Sequence, residues 1–346
     1  MLQTVIIGAS GYTGMELAKL VQQHPHMSLQ GLYVSENSVD AGKCLGELYG
    51  NLTAPVFNST ELALIPLSDD KLPEIAQTAD VVFLATPHQA SHDWLPTLIQ
   101  GNAKVLDLSG AYRLPNNAMY EQYYGFSHLH LELLQNAVYG LAEWHSESIS
   151  QSQYIAVPGC YPTASLLALK PLMHNALLDN AHRPVINAVS GVSGAGRKAS
   201  QTSSFCEVSL QAYGILQHRH QPEISTHLGT PVIFTPHLGN FKRGIIATIT
   251  VKLKDGSSAA NITEAFTHAY QSASLVHVRN TAPKIDDVAN SSECHIHWQF
   301  DSDSNYLVVT SAIDNLLKGA ASQAMQCANL MNGFAHDLAL TNNPLN

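Results

Sequence analysis

The segment Gly8-Ala9-Ser10-Gly11-Tyr12-Thr13-Gly14 constrains the fold more than any other stretch of the chain. It follows the apolar run Val5-Ile6-Ile7 and precedes a helical pattern in Met15, Leu17, Ala18, Leu20 and Val21 that ends at His24-Pro25. A strand, a GxxGxxG turn and an amphipathic helix, in that order, open a βαβ dinucleotide-binding unit. Gly8 permits the tight turn, Gly11 lets backbone approach a pyrophosphate, and Gly14 lets the helix lie close to the sheet. The first-turn amides of the helix then face the anion. Ser10, Tyr12 and Thr13 belong to the same candidate site.

The rest of the first third keeps the alternation. Leu29–Val34, Val81–Ala85 and Val105–Leu108 read as strands, and Ser91–Ile99 as a helix in spite of Pro96. Continuous apolar strands separated by helices are what a buried parallel sheet requires, so the expectation is an α/β, doubly wound domain. A polar, serine-rich stretch from Glu147 to Gln153 reads as a crossing to a second domain. Beyond it 184–190, 244–252 and 306–312 are strands at longer spacing, which predicts an α+β domain with a mixed or antiparallel sheet. A final helix is expected from Asn315 to about Asn332, with a loose end after His336.

Composition narrows the function classes. With 346 residues, 17 Lys+Arg against 27 Asp+Glu and a net charge of −10, the chain is a poor fit for gripping nucleic acid or an anionic membrane. It is 45% hydrophobic and 13% charged, which suits folded domains rather than disorder. The five cysteines are odd in number and far apart, with no CxxC pair, so a reducing compartment is expected. No basic leader and no run of about 20 apolar residues is present. The expected location is cytoplasmic.

Val157-Pro158-Gly159-Cys160-Tyr161-Pro162-Thr163 carries the chemistry. Pro162 suits the first turn of a helix, which puts Cys160 at or just before its N-terminus. That position favours a thiolate and supplies amide donors to an oxyanion. A proton acceptor is available in Gln217-His218-Arg219-His220-Gln221-Pro222-Glu223. In an extended segment His218 and His220 point the same way, and spacing does not choose between them. The HxH pairs His128/His130 and His295/His297 lack the companion ligands of a zinc centre, so no metal is expected. Two glycine-rich loops with cations, Ser109–Arg113 and Gly191–Lys198, suit a bound anion. The second strand ends in Ser35 rather than a carboxylate, which favours NADP over NAD, although Glu36 follows it.

Together GASGYTG, SGAYRL, PGCYPTA, GVSGAGRK, HRHQPEI, FTPHLGNFKRG and DNLLKGAA resemble the type 1 N-acetyl-γ-glutamyl-phosphate reductase family, nearly end to end. The resemblance implies a Rossmann-type NADP domain over residues 1–155, rejoined by a C-terminal helix at about 314–336. It also implies a glyceraldehyde-phosphate-dehydrogenase-like catalytic domain over 156–313. Cys160 becomes the nucleophile and the histidines the base, His220 first. Ser35, Thr86, Pro87, Ser193, Gly194 and Asn315 join the glycine turn at the cofactor. Ser109, Arg113, Arg197, Lys198 and Glu207 fall to the substrate, a small phosphorylated acyl compound. The implied reaction is NADPH-dependent reduction of that acyl phosphate to an aldehyde through a cysteine thioester, in arginine biosynthesis, by a homodimer or homotetramer. An aspartyl-phosphate reductase and a dinucleotide sensor on the same fold are the alternatives; the sensor would have no reactive thiol.

Overall fold

The computed structural model describes residues Met1–Thr341. The chain divides into two compact units: residues 1–120, 126–158 and the part from 320 on form one, and residues 121–125 and 159–319 form the other.

The first unit begins β1 (Leu2–Ile7), α1 (Tyr12–Gln23), β2 (Met27–Ser35), α2 (Leu45–Leu48), β3 (Ile65–Leu67) and α3 (Leu72–Thr78). It continues β4 (Val81–Leu84), α4 (His88–Leu98), β5 (Lys104–Asp107), α5 (Asn117–Tyr124, whose residues from 121 on group with the second unit), α6 (Leu131–Asn136), β6 (Val138–Tyr139), α7 (Ala142–Gln151) and β7 (Tyr154–Ala156). The sheet order is β3-β2-β1-β4-β5-β7-β6, and every pair is parallel. Val5, Ile6, Ile7 and all of β4 are buried, as strands covered on both faces must be. The order reverses between β1 and β4, and that switch point is where open α/β sheets bind ligands.

The second unit holds α8 (Cys160–His174), β8 (Val185–Gly191), β9 (Gln211–Ala212), α9 (His220–Leu228), β10 (Ile233–Gly239) and β11 (Ile245–Lys252). Then come α10 (Ala259–Tyr270), β12 (Val276–Val278), β13 (Cys294–Asp301) and β14 (Tyr306–Ile313). Its sheet is mixed, ordered β12-β13-β14-β11-β8-β10-β9. Alternate residues of β11 (Ile245, Ala247, Ile249, Val251) are buried, and α8 packs on β11 and β14. The long helix carrying Cys160 is thereby fixed to the centre of the sheet.

Four local expectations change. Residues up to Gln151 of the serine-rich stretch are helical, and the chain passes between units at Pro158–Gly159. His218 and His220 are not on an extended strand, because α9 starts at His220. The final helix does not run unbroken from Asn315. Leu317–Ala321 is a π-helical turn, and α11 (Ser322–Met331) follows it.

The fourth concerns the end of the chain. α11 completes the first unit, packing on α7, β5 and α1. Gln323 donates to the carbonyl of Gly140 (2.8 Å), Asn329 pairs with His24 (2.9 Å), and Lys104 bonds the Met331 carbonyl. The segment after His336 is tied down in part: Asn329 also donates to the Leu338 carbonyl (3.0 Å) and Leu340 is buried. Residues 342–346 of that expected loose end lie outside the described residues.

Candidate active site

Gly159 caps α8 and Cys160 is its first residue, with Thr163 closing the turn back onto the Gly159 carbonyl through both its amide (2.9 Å) and its hydroxyl (3.0 Å). The positive end of the α8 dipole lies at the thiol, the half-charge that favours an anion there. None of the five cysteines is in a disulfide, and Cys160 is half-buried.

Cys160 lines a cavity of about 290 Å³ that also takes in Tyr161, Ser190, Gly194, Tyr213, His218, Arg219 and His220. Glu223, wholly buried, ties the cysteine to the histidines. Its Oε1 accepts the Gly159 amide at 2.8 Å, and its Oε2 lies 3.9 Å from His220 Nε2. His218 is placed differently. Its Nδ1 accepts the His220 amide (3.2 Å), and burial, then the neighbouring Arg219 guanidinium, pushes its pKa down to about 4. A neutral His218 with Nδ1 engaged carries its proton on Nε2. The two rings are 4.8 Å apart, and both meet Tyr161 edge-on at 5.9 Å. Burial pushes the Tyr161 hydroxyl far above its usual range, so it stays protonated and donates to the His237 carbonyl (3.0 Å).

Gly319, in the π-helical turn, packs on the nucleophile. A Cβ there would sit 2.8 Å from the Cys160 Cβ. Among the residues the sequence singled out, Gly194 shares the cavity with Cys160. Ser193 accepts from Asn315 Nδ2 (2.9 Å), and Asn315 Oδ1 accepts the Gly244 amide (2.7 Å), so this pair braces the loop beside the cavity. Arg197, Lys198 and Glu207 lie on an exposed loop and do not line the cavity. Glu223, Tyr161 and Ser190 received no role from the sequence. Glu223 had a signal, standing three residues after His220 with Pro222 between, a helix first turn that puts i and i+3 on one face.

In the first unit, Ser109 is buried and bonded to Asp107 through its hydroxyl and amide (both 2.9 Å). Arg113 is also buried; its Nε donates to the Val157 carbonyl (2.6 Å) and its Nη2 to that of Leu108 (2.7 Å). These bonds hold the SGAYR loop against the strand end that leads to Pro158.

The glycine turn fits a dinucleotide. Gly8 has φ +91°, and a Cβ on it would be 2.2 Å from the Ala85 carbonyl oxygen; one on Gly14 would be 2.3 Å from the Gly8 oxygen. Packing therefore demands those two glycines. Gly11 is different: a Cβ would meet only the Gly8 oxygen at 3.4 Å, an ordinary contact. The space at Gly11 is what a close-approaching pyrophosphate needs. Gly11 caps α1 without a side-chain bond, Tyr12 and Thr13 begin the helix, and the Ser10 carbonyl is held by Tyr49 (2.8 Å). Thr86, bonded to Ser91 (2.7 Å), and Pro87, the cap of α4, follow the adjacent strand β4. Ser35 is exposed at the end of β2.

Residues 3–152 match the model for the semialdehyde dehydrogenase NAD binding domain, and residues 160–315 that for the semialdehyde dehydrogenase dimerisation domain. Aspartate semialdehyde dehydrogenase II of Vibrio cholerae shares the fold at a TM-score of 0.70 and 16% identity, covering 96% of this chain and 98% of that one. The N-acetyl-gamma-glutamyl-phosphate reductase of Alteromonas mediterranea is 62% identical over 96% of this chain and 97% of its own length. That of Pseudoalteromonas atlantica is 60% identical over 98% of both. With that identity across both units, the chain belongs to the N-acetyl-γ-glutamyl-phosphate reductase family.

Proposed function

We propose that the protein reduces N-acetyl-γ-glutamyl phosphate to N-acetylglutamate semialdehyde and phosphate with NADPH, as a step of arginine biosynthesis. The observation that carries this reading is the thiol of Cys160 at a helix N-terminus, in one cavity with His218 and His220. The Cys160 thiolate attacks the γ-carbonyl, and the carbon–oxygen bond to phosphate breaks with its electron pair, leaving a thioester. The Gly8–Gly14 turn and Ser35 would hold NADPH, which would supply the hydride that a thioester accepts and a carboxylate does not. His220 takes the thiol proton at the start and serves the oxygen of the reduced adduct as the carbon–sulfur bond breaks. The Glu223 carboxylate, anchored on the Gly159 amide, faces His220 Nε2 at 3.9 Å and sets the position of the ring that does this shuttling. His218, held neutral, shapes the cavity and orients the His220 backbone.

Arg197 and Lys198 are proposed to bring positive charge to the substrate phosphate from their exposed loop, with Arg219 already at the cavity wall. Ser109 and Arg113 act by fixing the strand end before Pro158. The match of residues 160–315 to a dimerisation domain supports a homodimer or homotetramer. Among the described residues no helix is long and apolar enough to cross a membrane; the enzyme is proposed to work in the cytoplasm.

Phosphate-dependent NADP reduction, measured with N-acetylglutamate semialdehyde and with aspartate semialdehyde, tests the reading. The first substrate should dominate kcat/KM by several orders of magnitude, and a preference for the second would reassign the enzyme. Cys160→Ser should keep NADPH affinity while losing more than ~10³-fold in kcat, the scale of a removed nucleophile. An active serine variant would exclude the thioester route.

A further inference from the structure

We propose that His277, Glu293 and His295 form a zinc-binding site on the β12–β13 edge of the second unit. The three are the one group of metal-ligating side chains of this kind among the described residues. β12 pairs with β13 in parallel, with His277 opposite His295. Directly paired strand residues project to one face, and Glu293, the residue just before β13, reaches both imidazoles with its carboxylate. His297, the other member of the HxH pair, turns its Nδ1 to the Arg279 carbonyl (3.0 Å), and the imidazole beside His295 is His277 of the neighbouring strand.

The geometry is close to what zinc requires. Glu293 Oε2 lies 2.8 Å from His295 Nε2 and 3.6 Å from His277 Nε2, and the ligand atoms of the three residues are all within 4.8 Å of one another. Tetrahedral zinc with bonds of about 2.0–2.2 Å holds its ligand atoms roughly 3.3–3.5 Å apart, so shifts of about an ångström assemble the site. His295 is 5% exposed, and its Nε2 is aimed into the cluster by the 2.8 Å contact with Glu293 Oε2. The side chains of His277 and Glu293 are 40% and 39% exposed and free to close on an ion. Two imidazoles and one carboxylate suit zinc, and suit magnesium or calcium poorly. None of the three residues lines the Cys160 cavity. A bound ion would pin the three-residue edge strand β12 to its neighbour, a structural rather than a chemical role.

The test uses the full chain with accessible thiols alkylated, so that Cys160 cannot compete, and zinc chloride titrated against a chromogenic chelator. One equivalent should bind at micromolar affinity or better, with a rise of several degrees in Tm. His277→Gln and Glu293→Gln, both at half-exposed positions, should weaken binding at least tenfold and abolish the Tm rise. Their zinc-free Tm, and the activity of the unalkylated variants, should match the parent. Binding weaker than 0.1 mM overturns the proposal. So does an affinity that either substitution changes by less than tenfold.

Discussion

Glu223 serves two neighbours with one carboxylate, holding the Gly159 amide with one oxygen and facing His220 with the other. Glu223→Gln can keep the first contact and must lose the charge in the second. A fall in kcat of ~10²–10⁴-fold is expected, the scale of general acid–base catalysis, with NADPH affinity unchanged by fluorescence titration. The two histidines should separate in the same assay. His220→Asn should cost at least ~10²-fold in kcat, and His218→Asn less than ~10-fold, because a group whose pKa is held near 4 is a poor store for a proton at neutral pH. Sequence spacing offered both imidazoles and could not rank them. Their difference comes from Arg219, from burial, and from the helix that starts at His220, and the extended reading concealed all three.

At the scale of elements, the glycine turn and the cysteine at the head of α8 were legible because local chemistry dictates them. Gly8 is forced by its backbone and Pro162 suits a first turn. The π-helical turn was not. Leu316, Leu317, Ala320 and Ala324 recur at spacings that fit an unbroken helix, and apolar periodicity cannot reveal one inserted residue. Yet that turn sets Gly319 against the nucleophile. Gly319→Ala should therefore displace Cys160 and cost about 1–3 kcal/mol in overpacking, read as a lowered Tm. The alkylation rate of Cys160 should change in the same variant. An Ala variant with unchanged Tm and alkylation rate would show that the close approach is not needed.

The whole molecule carries buried and half-buried histidines whose ionisation opposes folding. Burial first, then neighbouring charge, pushes His128 in one unit and His218 in the other down to about 4 from an ordinary 6.5. Between those values the unfolded chain binds protons that the native one refuses, so the histidines' contribution lowers stability as pH drops from about 6.5 to about 4. Urea midpoints measured across that range should decline, and His128→Asn should flatten part of the slope. The doubly wound parallel sheet of the first unit could be read from continuous apolar runs, but the order of its seven strands could not. The second unit could be read only as mixed, since the parallel pairing of β8 with β10 joins strands that have β9 and α9 between them in the chain.

The helix that finishes the first unit is made after all of the second. Translation therefore delivers the nucleotide-binding sheet early and its last supporting helix late. Until α11 leaves the ribosome, the surfaces that receive Gln323, Cys327 and Asn329 stay uncovered. A premature stop near residue 320 would spare every residue of the Cys160 cavity and should still send the nascent protein to proteases, through damage to the half synthesised first.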